Sequence, residues 1–157
     1  MKGSGSVLTV TRTKFVVLAL AAFLTVGALA AAFSAQPASA QSASGQAVVA
    51  EAESWLGTPY VWGGDSRSGV DCSGLTQSVF QQLGVDIPRT TEAQYGVGTP
   101  SNGAVGDLVF GDFGSGGISH VGIAVGDGTM INAPYPGTTV RYDEIYPQYT
   151  IGYKSVV

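Results

Sequence analysis

The chain has 157 residues, of which 45% are apolar, 11 are acidic and seven are basic. Its single cysteine excludes an internal disulfide, and one cysteine with one histidine cannot supply the full ligand set of a zinc site. We therefore expect neither a metal nor another cofactor.

The N-terminal segment has the pattern of an export signal. A basic stretch ends at Lys14, residues 15–33 are almost entirely apolar, and Ala38-Ser39-Ala40 fits the small-x-small motif that a signal peptidase cleaves. We expect residues 1–40 to be a signal peptide and the protein to be secreted. The alternative is a retained anchor, because an apolar run of this length could just span a bilayer.

Residues 41–157 are short enough for one domain with one core. They contain all 11 acidic residues but only four basic ones, which gives a formal charge of −7. Such a surface should repel nucleic acid and anionic membranes, so we expect no nucleic-acid partner, and a membrane partner only if the signal segment is retained. The four basic residues are Arg67, Arg89, Arg141 and Lys154.

Two helices are predicted in the first half of this domain. Apolar residues at helical spacing indicate a helix over 46–56, and a second pattern predicts a helix from Cys72 to Leu83 with Gly84 as its C-terminal cap. Residues 60–62 are predicted to be extended, and the glycine-rich segment that follows them to be a loop.

Residues 85–105 are predicted to be irregular, and the remainder to form strands. Helices followed by strands indicate an α+β fold, with helices packed against an antiparallel sheet of about five strands. The predicted strands are 107–110, 119–125, 130–133, 139–142 and 151–155.

Cys72 is the candidate nucleophile. It lies where a helix should begin, and unpaired N–H groups at that end favour a thiolate. The alternative is a buried structural cysteine, because Cys72 continues the apolar stripe of Leu75 and Val79.

His120 is the candidate base, since a thiol nucleophile needs one and the chain has no other histidine. Asn132 could orient its ring across the predicted Asp127-Gly128 turn. A regular hairpin with a two-residue turn would put Asn132 on the wrong face, so the pairing requires a three-residue loop or a β-bulge. The alternatives are a surface histidine and a solvent-facing asparagine.

Several motifs, taken in order, resemble the NlpC family of cell-wall cysteine endopeptidases. The order makes the resemblance specific, and it covers the chain from about residue 50 to the end. The motifs are Gly57-Thr58-Pro59-Tyr60-Val61-Trp62-Gly63-Gly64, Asp71-Cys72-Ser73-Gly74-Leu75, Pro88-Arg89-Thr90-Thr91, Gly106-Asp107-Leu108-Val109-Phe110, Ser119-His120-Val121-Gly122-Ile123 and Met130-Ile131-Asn132-Ala133-Pro134.

The resemblance implies a papain-like fold and hydrolysis of peptidoglycan stem peptides, usually between γ-D-glutamate and a diamino acid. A protein with this activity is expected to be secreted or associated with the cell wall. It implies Cys72 as nucleophile, His120 as acid and base, and Asn132 at a position where the family often has histidine. It also implies Tyr60 as an oxyanion donor.

Four further residues would line the substrate groove or bind the stem peptide: Asp71, Ser73, Ser119 and Arg89. The alternatives are purely structural roles: helix capping for Asp71 and Ser73, a core position for Tyr60 and a surface ion pair for Arg89.

The sequence is also compatible with two other functions. An amidase would use the same chemistry to cut between the glycan and its peptide. A non-catalytic wall-binding module would keep the fold without the reaction.

Overall fold

The computed structural model describes residues 43–157 of the chain. The predicted signal peptide lies outside the described residues. Within them, the helices are α1 (Gly45–Glu53), α2 (Cys72–Gln82) and α3 (Thr91–Tyr95). The strands are β1 (Asp65–Ser66), β2 (Gly69–Val70), β3 (Thr99–Pro100), β4 (Leu108–Gly111), β5 (His120–Gly126), β6 (Thr129–Asn132), β7 (Arg141–Glu144) and β8 (Thr150–Ser155).

The two longer helices are capped by short polar side chains. The Ser44 hydroxyl accepts a hydrogen bond from the N–H of Ala47 at the start of α1, and Asp71 caps α2. Gly84, at φ +76°, ends α2 as predicted. The N–H groups of residues 84 and 85 bond back to the carbonyls of residues 81 and 80, which is the Schellman motif.

Six strands form one antiparallel sheet in the order β3-β8-β4-β5-β6-β7, and β1 pairs with β2 in a separate hairpin. The α+β prediction is confirmed. The region predicted to be irregular contains α3 and the edge strand β3. The strand predicted at 139–142 begins only at Arg141, because residue 140 bonds instead to the backbone of residues 57 and 58.

The core lies mainly between the helices and one face of the sheet. Alternation along each strand places one set of side chains against α1 and α2 and the next set on the opposite face. The helix-side core is formed chiefly by Val48, Ala52, Leu75, Val79, Phe80, Leu108, Phe110, Val121, Ile123 and Ile131. A smaller cluster of Val109, Ala124 and Met130 packs on the other face, under Ile145 and Tyr153.

None of the helices described here is long and apolar enough to cross a membrane. Across the same residues, no group of three or more histidine, cysteine or acidic side chains could hold a metal ion.

Candidate active site

Cys72 is the first residue of α2, and its thiol lies between that helix end and the sheet. Its Sγ is 3.8 Å from Oγ1 of Thr91 and is also near the backbone N–H of Val121, which follows His120 in β5. Burial raises the pKa of the thiol, outweighing the hydrogen bonds from these groups. The resting thiol is therefore protonated at neutral pH, contrary to the expectation that the helix end alone would favour thiolate.

His120 is the first residue of β5 and is only 7% exposed. Its Nε2 lies 2.9 Å from Oδ1 of Asn132. Burial lowers the pKa of the ring, and the hydrogen bond to Asn132 opposes this only in part. The phenyl ring of Phe113 packs edge-on against the imidazole, with centroids 5.1 Å apart. A neutral imidazole fixed in this way is suited to accept a proton.

The β5–β6 hairpin meets the condition that brings Asn132 to His120. Its turn has two residues, Asp127 at φ 52° and Gly128 at φ 84°, so the three-residue alternative does not occur. Position 126 pairs with 129 and 124 pairs with 130, which leaves Val125 as a β-bulge. The bulge restores the register that puts Asn132 beside Gly122, on the face that carries His120.

Asn132 is 1% exposed and is bound on both sides of its amide. Its Oδ1 faces His120, while its Nδ2 donates to Oδ2 of Asp143 at 3.0 Å. Asp143 in turn accepts from Nε of Arg141, at 3.0 and 2.9 Å to its two oxygens. Asp143 is not among the site residues predicted from the sequence. Finding it requires the β6–β7 register, which the long connection between those strands conceals.

Asp71, Ser73 and Arg89 form one interlocked network. Arg89 donates through Nη2 to Asp71 and through Nη1 to the Ser73 hydroxyl, both at 2.8 Å. Asp71 also accepts from the N–H groups of Gly74 and Gly63. Burial alone would raise the pKa of Asp71, but the Arg89 guanidinium and these N–H groups outweigh it and hold the pKa below its ordinary value. The network thus provides both the helix cap and the ion pair considered in the alternative interpretations.

Tyr60 and Ser119 lie on separate segments near Cys72 and His120. Tyr60 is half-buried against the core, and burial, followed by the nearby Cys72 and Asp71, raises the pKa of its phenol, which therefore keeps its proton. Ser119 is exposed, and its hydroxyl accepts a hydrogen bond from the N–H of Phe113 at 3.0 Å.

A shallow pocket adjoins His120 on the side of Phe113. Its aromatic lining includes Tyr146 and Tyr149, and the Tyr149 ring centroid lies 5.6 Å from that of Phe113. These aromatic groups are about half exposed, so they form an apolar rim beside the imidazole.

Comparison with curated proteins finds relatives among bacterial endopeptidases. The chain is 48% identical over 116 residues to the probable endopeptidase p60 of Listeria seeligeri, covering 69% of this chain and 22% of that protein. It is 45% identical over 112 residues to a probable endopeptidase of Corynebacterium glutamicum, covering 68% of this chain and 52% of that protein. The chain thus spans only about a fifth to a half of the length of these relatives.

Solved structures give a consistent picture. The NlpC/p60 domain of the peptidoglycan hydrolase SagA matches with a TM-score of 0.64 and 43% identity, covering 71% of this chain and 98% of that one. The peptidoglycan hydrolase RipB from Mycobacterium tuberculosis matches with a TM-score of 0.64 and 30% identity, covering 78% and 68%. A model of the NlpC/P60 family matches residues 57–155, and this chain belongs to that family.

Proposed function

We propose that this protein is an exported peptidoglycan hydrolase, a cysteine endopeptidase that cleaves stem peptides at the bond between γ-D-glutamate and a diamino acid. The observation that carries the proposal is the buried hydrogen bond between His120 and Asn132, beside the helix end that bears Cys72. Family membership supports the same reaction, since the relatives include proteins named as endopeptidases and peptidoglycan hydrolases.

The first step begins from a neutral thiol and a neutral imidazole. His120 takes the Sγ proton as the sulfur attacks the scissile carbonyl carbon, so a C–S bond forms and the carbonyl electron pair moves to oxygen. Burial favours this starting state at both groups, because it raises the pKa of Cys72 and lowers that of His120. Proton transfer and attack are then coupled, and the resting enzyme holds no thiolate–imidazolium ion pair.

The oxyanion formed in this step would be stabilised by two donors. The N–H of Cys72 belongs to the first turn of α2, where backbone donors have no partner within the helix. The phenol of Tyr60 keeps its proton at neutral pH and lies near Cys72. One such donor contributes roughly 3–4 kcal/mol to transition-state stabilisation in other hydrolases.

Collapse of this intermediate breaks the C–N bond and leaves a thioester on Cys72. The imidazolium of His120 gives its proton to the departing amine. Water then attacks the thioester with His120 as base, which releases the acid product and regenerates the thiol.

Substrate contacts are proposed for Asp71, Ser73, Arg89 and Ser119 at the margin of the site. The Arg89 side chain is 32% exposed while it pairs with Asp71, so it could meet a polar group of the stem peptide without being displaced.

Digestion of purified cell walls by the protein beginning at Gln41 tests the proposal. Mass spectrometry should find fragments cut within the stem peptide, and Cys72→Ala and His120→Ala should release none. Ser68→Ala, in the exposed β1–β2 loop, is the control and should digest normally.

The products also separate this reaction from its alternatives. Free stem peptides cut from intact glycan would identify an amidase instead. Equal fragment release by the unaltered protein and Cys72→Ala would refute the cysteine mechanism, and a protein that binds walls without releasing fragments would be a binding module.

A further inference from the structure

We propose that Asp143 is a positioning residue that fixes the amide of Asn132 and, through it, the tautomer of His120. Asp143 lies on β7, two strands away from His120 in the sheet. Its side chain bonds to Asn132 and to Arg141. The catalytic consequence rests on the proposed cysteine mechanism, whereas the tautomer itself does not.

The hydrogen bonds from Asp143 through Asn132 to His120 allow only one assignment of donors and acceptors. A carboxylate accepts only, so the atom of Asn132 that lies 3.0 Å from Asp143 must be the amide nitrogen. The amide oxygen therefore faces His120 at 2.9 Å. That oxygen has no hydrogen, so the hydrogen between them must belong to Nε2 of the ring.

The neutral ring with a proton on Nε2 has an unprotonated Nδ1. This is the nitrogen that can accept the thiol proton, so the Nε2–H tautomer is the one that the reaction requires. If the amide of Asn132 turned over, its NH₂ group would face Nε2, and the ring would carry its proton on Nδ1 instead. The base would then be occupied before the reaction began.

Asp143 is the group best placed to prevent that turn. The other acceptor near the Asn132 nitrogen is the backbone carbonyl of Arg141, at the longer distance of 3.5 Å. The carboxylate is held in place by Nε of Arg141, which contacts both of its oxygens. Asn132 itself is only 1% exposed, so its amide nitrogen depends on these two acceptors.

Nitrogen-15 NMR of histidine-labelled protein tests this directly, because His120 is the sole histidine and its signals need no residue assignment. The couplings of each nitrogen to the two carbon-bound ring protons distinguish Nε2 from Nδ1. The full-length domain from Gln41 should show the pure Nε2–H tautomer at a pH where the ring is neutral. Asp143→Asn should show a mixture of tautomers, since an amide at this position can either accept or donate. A pure Nε2–H ring in Asp143→Asn, or an Nδ1–H ring in the unaltered protein, would overturn the proposal.

Kinetics provide the second readout. We expect kcat of Asp143→Asn to fall about tenfold with KM unchanged, the change expected for weakening one hydrogen bond to a charged group. Asp86→Asn is the control: it makes the same change from acid to amide at an exposed position outside the site and should change neither tautomer nor kcat. In an Asn132→Ala background, Asp143→Asn should have no further effect, and an additive loss would refute the positioning role.

The two readouts also separate this inference from the proposed function. If neither the unaltered protein nor Asp143→Asn cleaves peptidoglycan, the endopeptidase proposal fails. The tautomer of the His120 ring still decides the role of Asp143 in that case. If Asp143→Asn does not fold, Asp143→Ser is measured in its place. The prediction of a pure Nε2–H tautomer in the unaltered protein can be tested without any variant.

Discussion

The residues of the site are polar groups that burial forces to bind one another. His120 and Asn132 are 7% and 1% exposed, so water is not there to replace a missing partner. An unpaired polar group at such depth costs about 1–3 kcal/mol, which favours the single arrangement in which both are bonded. The same burial keeps the imidazole and the Cys72 thiol uncharged before substrate arrives.

Replacing Asn132 should reduce the rate more than it reduces substrate binding. In Asn132→Ala, His120 loses the acceptor 2.9 Å from Nε2 and is free to rotate or change tautomer. We expect kcat to fall by about 10- to 100-fold with little change in KM, measured on a soluble stem-peptide substrate. Asn102→Ala, in an exposed loop, is the matched control. Full activity in Asn132→Ala would exclude an orienting role.

The acid limb of the pH–rate profile should lie below the ordinary histidine pKa. A protonated His120 cannot accept the thiol proton, so kcat/KM must fall once the free enzyme takes up that proton. Burial lowers the pKa of His120 from 6.5, and activity should therefore persist as the pH falls through that value.

The measurement is kcat/KM from about pH 4 to pH 9, fitted for its acid limb. The hydrogen bond to Asn132 raises the pKa of His120, so Asn132→Ala should move the limb further to the acid side in its residual activity. A limb at or above 6.5 in the unaltered protein would contradict the effect assigned to burial.

The sequence alone singles out the proposed nucleophile and the proposed base, but not the groups that support them. Cys72 and His120 stand out because each is the one residue of its type. Asp143 does not, because its position next to Asn132 depends on how β7 aligns with β6. The raised thiol pKa was not predicted for a related reason: burial causes it, and Cys72 is buried against a core whose residues are distant in sequence.

At the scale of elements, two local devices position the site. The start of α2 holds Cys72 and is fixed by Asp71, and the bulged β5–β6 hairpin brings Asn132 to His120. The longer helices and the central strands follow from their apolar periodicity. The β1–β2 hairpin, α3 and β3 were missed, since two to five residues are too few for a period to emerge.

Loss of the buried negative charge at the start of α2 should destabilise the domain. Asp71→Asn removes the charge that pairs with Arg89, whose Nη2 lies 2.8 Å from the carboxylate, and weakens the bonds from Gly74 and Gly63. We expect the free energy of unfolding to fall by about 2 kcal/mol, measured by urea denaturation at neutral pH. Asp86→Asn, at an exposed position, should have little effect.

The pH dependence of that loss provides a check on its cause. The folded-state pKa of Asp71 lies below 3.8, so its contribution is fully present above the unfolded pKa and is lost as the pH falls through the folded value. The difference between the unaltered protein and Asp71→Asn should therefore shrink under acid conditions. A difference that is constant with pH would point to packing instead of charge.

Gly122 allows Asn132 to approach β5. A Cβ atom at this position would lie 2.8 Å from Sδ of Met130 and 3.2 Å from Cβ of Asn132. Gly122→Val should cost about 2 kcal/mol of stability through overpacking and should also lower kcat by displacing Asn132 from His120. Gly117→Val, where a Cβ meets nothing within 4 Å, is the control. A stable Gly122→Val protein with normal kcat would show that Asn132 tolerates the displacement.

For the whole domain, the fold joins two parts that are distant in sequence. The helices bring the proposed nucleophile, Cys72, from the first half, and the sheet brings the proposed base, His120, and its partners from the second. The general scheme follows from the order of helices and strands, and the family motifs supplied the roles. Their relative placement depends on the packing of α2 against β5, which periodicity alone does not specify.

The charge of the domain predicts an unusual response to salt. With 11 acidic and four basic residues, residues 43–157 carry a formal charge of −7, and an anionic cell wall should repel them over about 10 Å at moderate ionic strength. Binding of Cys72→Ala to purified walls, measured by co-sedimentation, should therefore increase or stay constant as sodium chloride is raised. Neutralising two exposed acids in Asp86→Asn/Glu92→Gln should increase binding at low salt and flatten this response. Binding that weakens steadily with salt would instead require a basic contact, and Arg89, beside Cys72, is the first candidate for it.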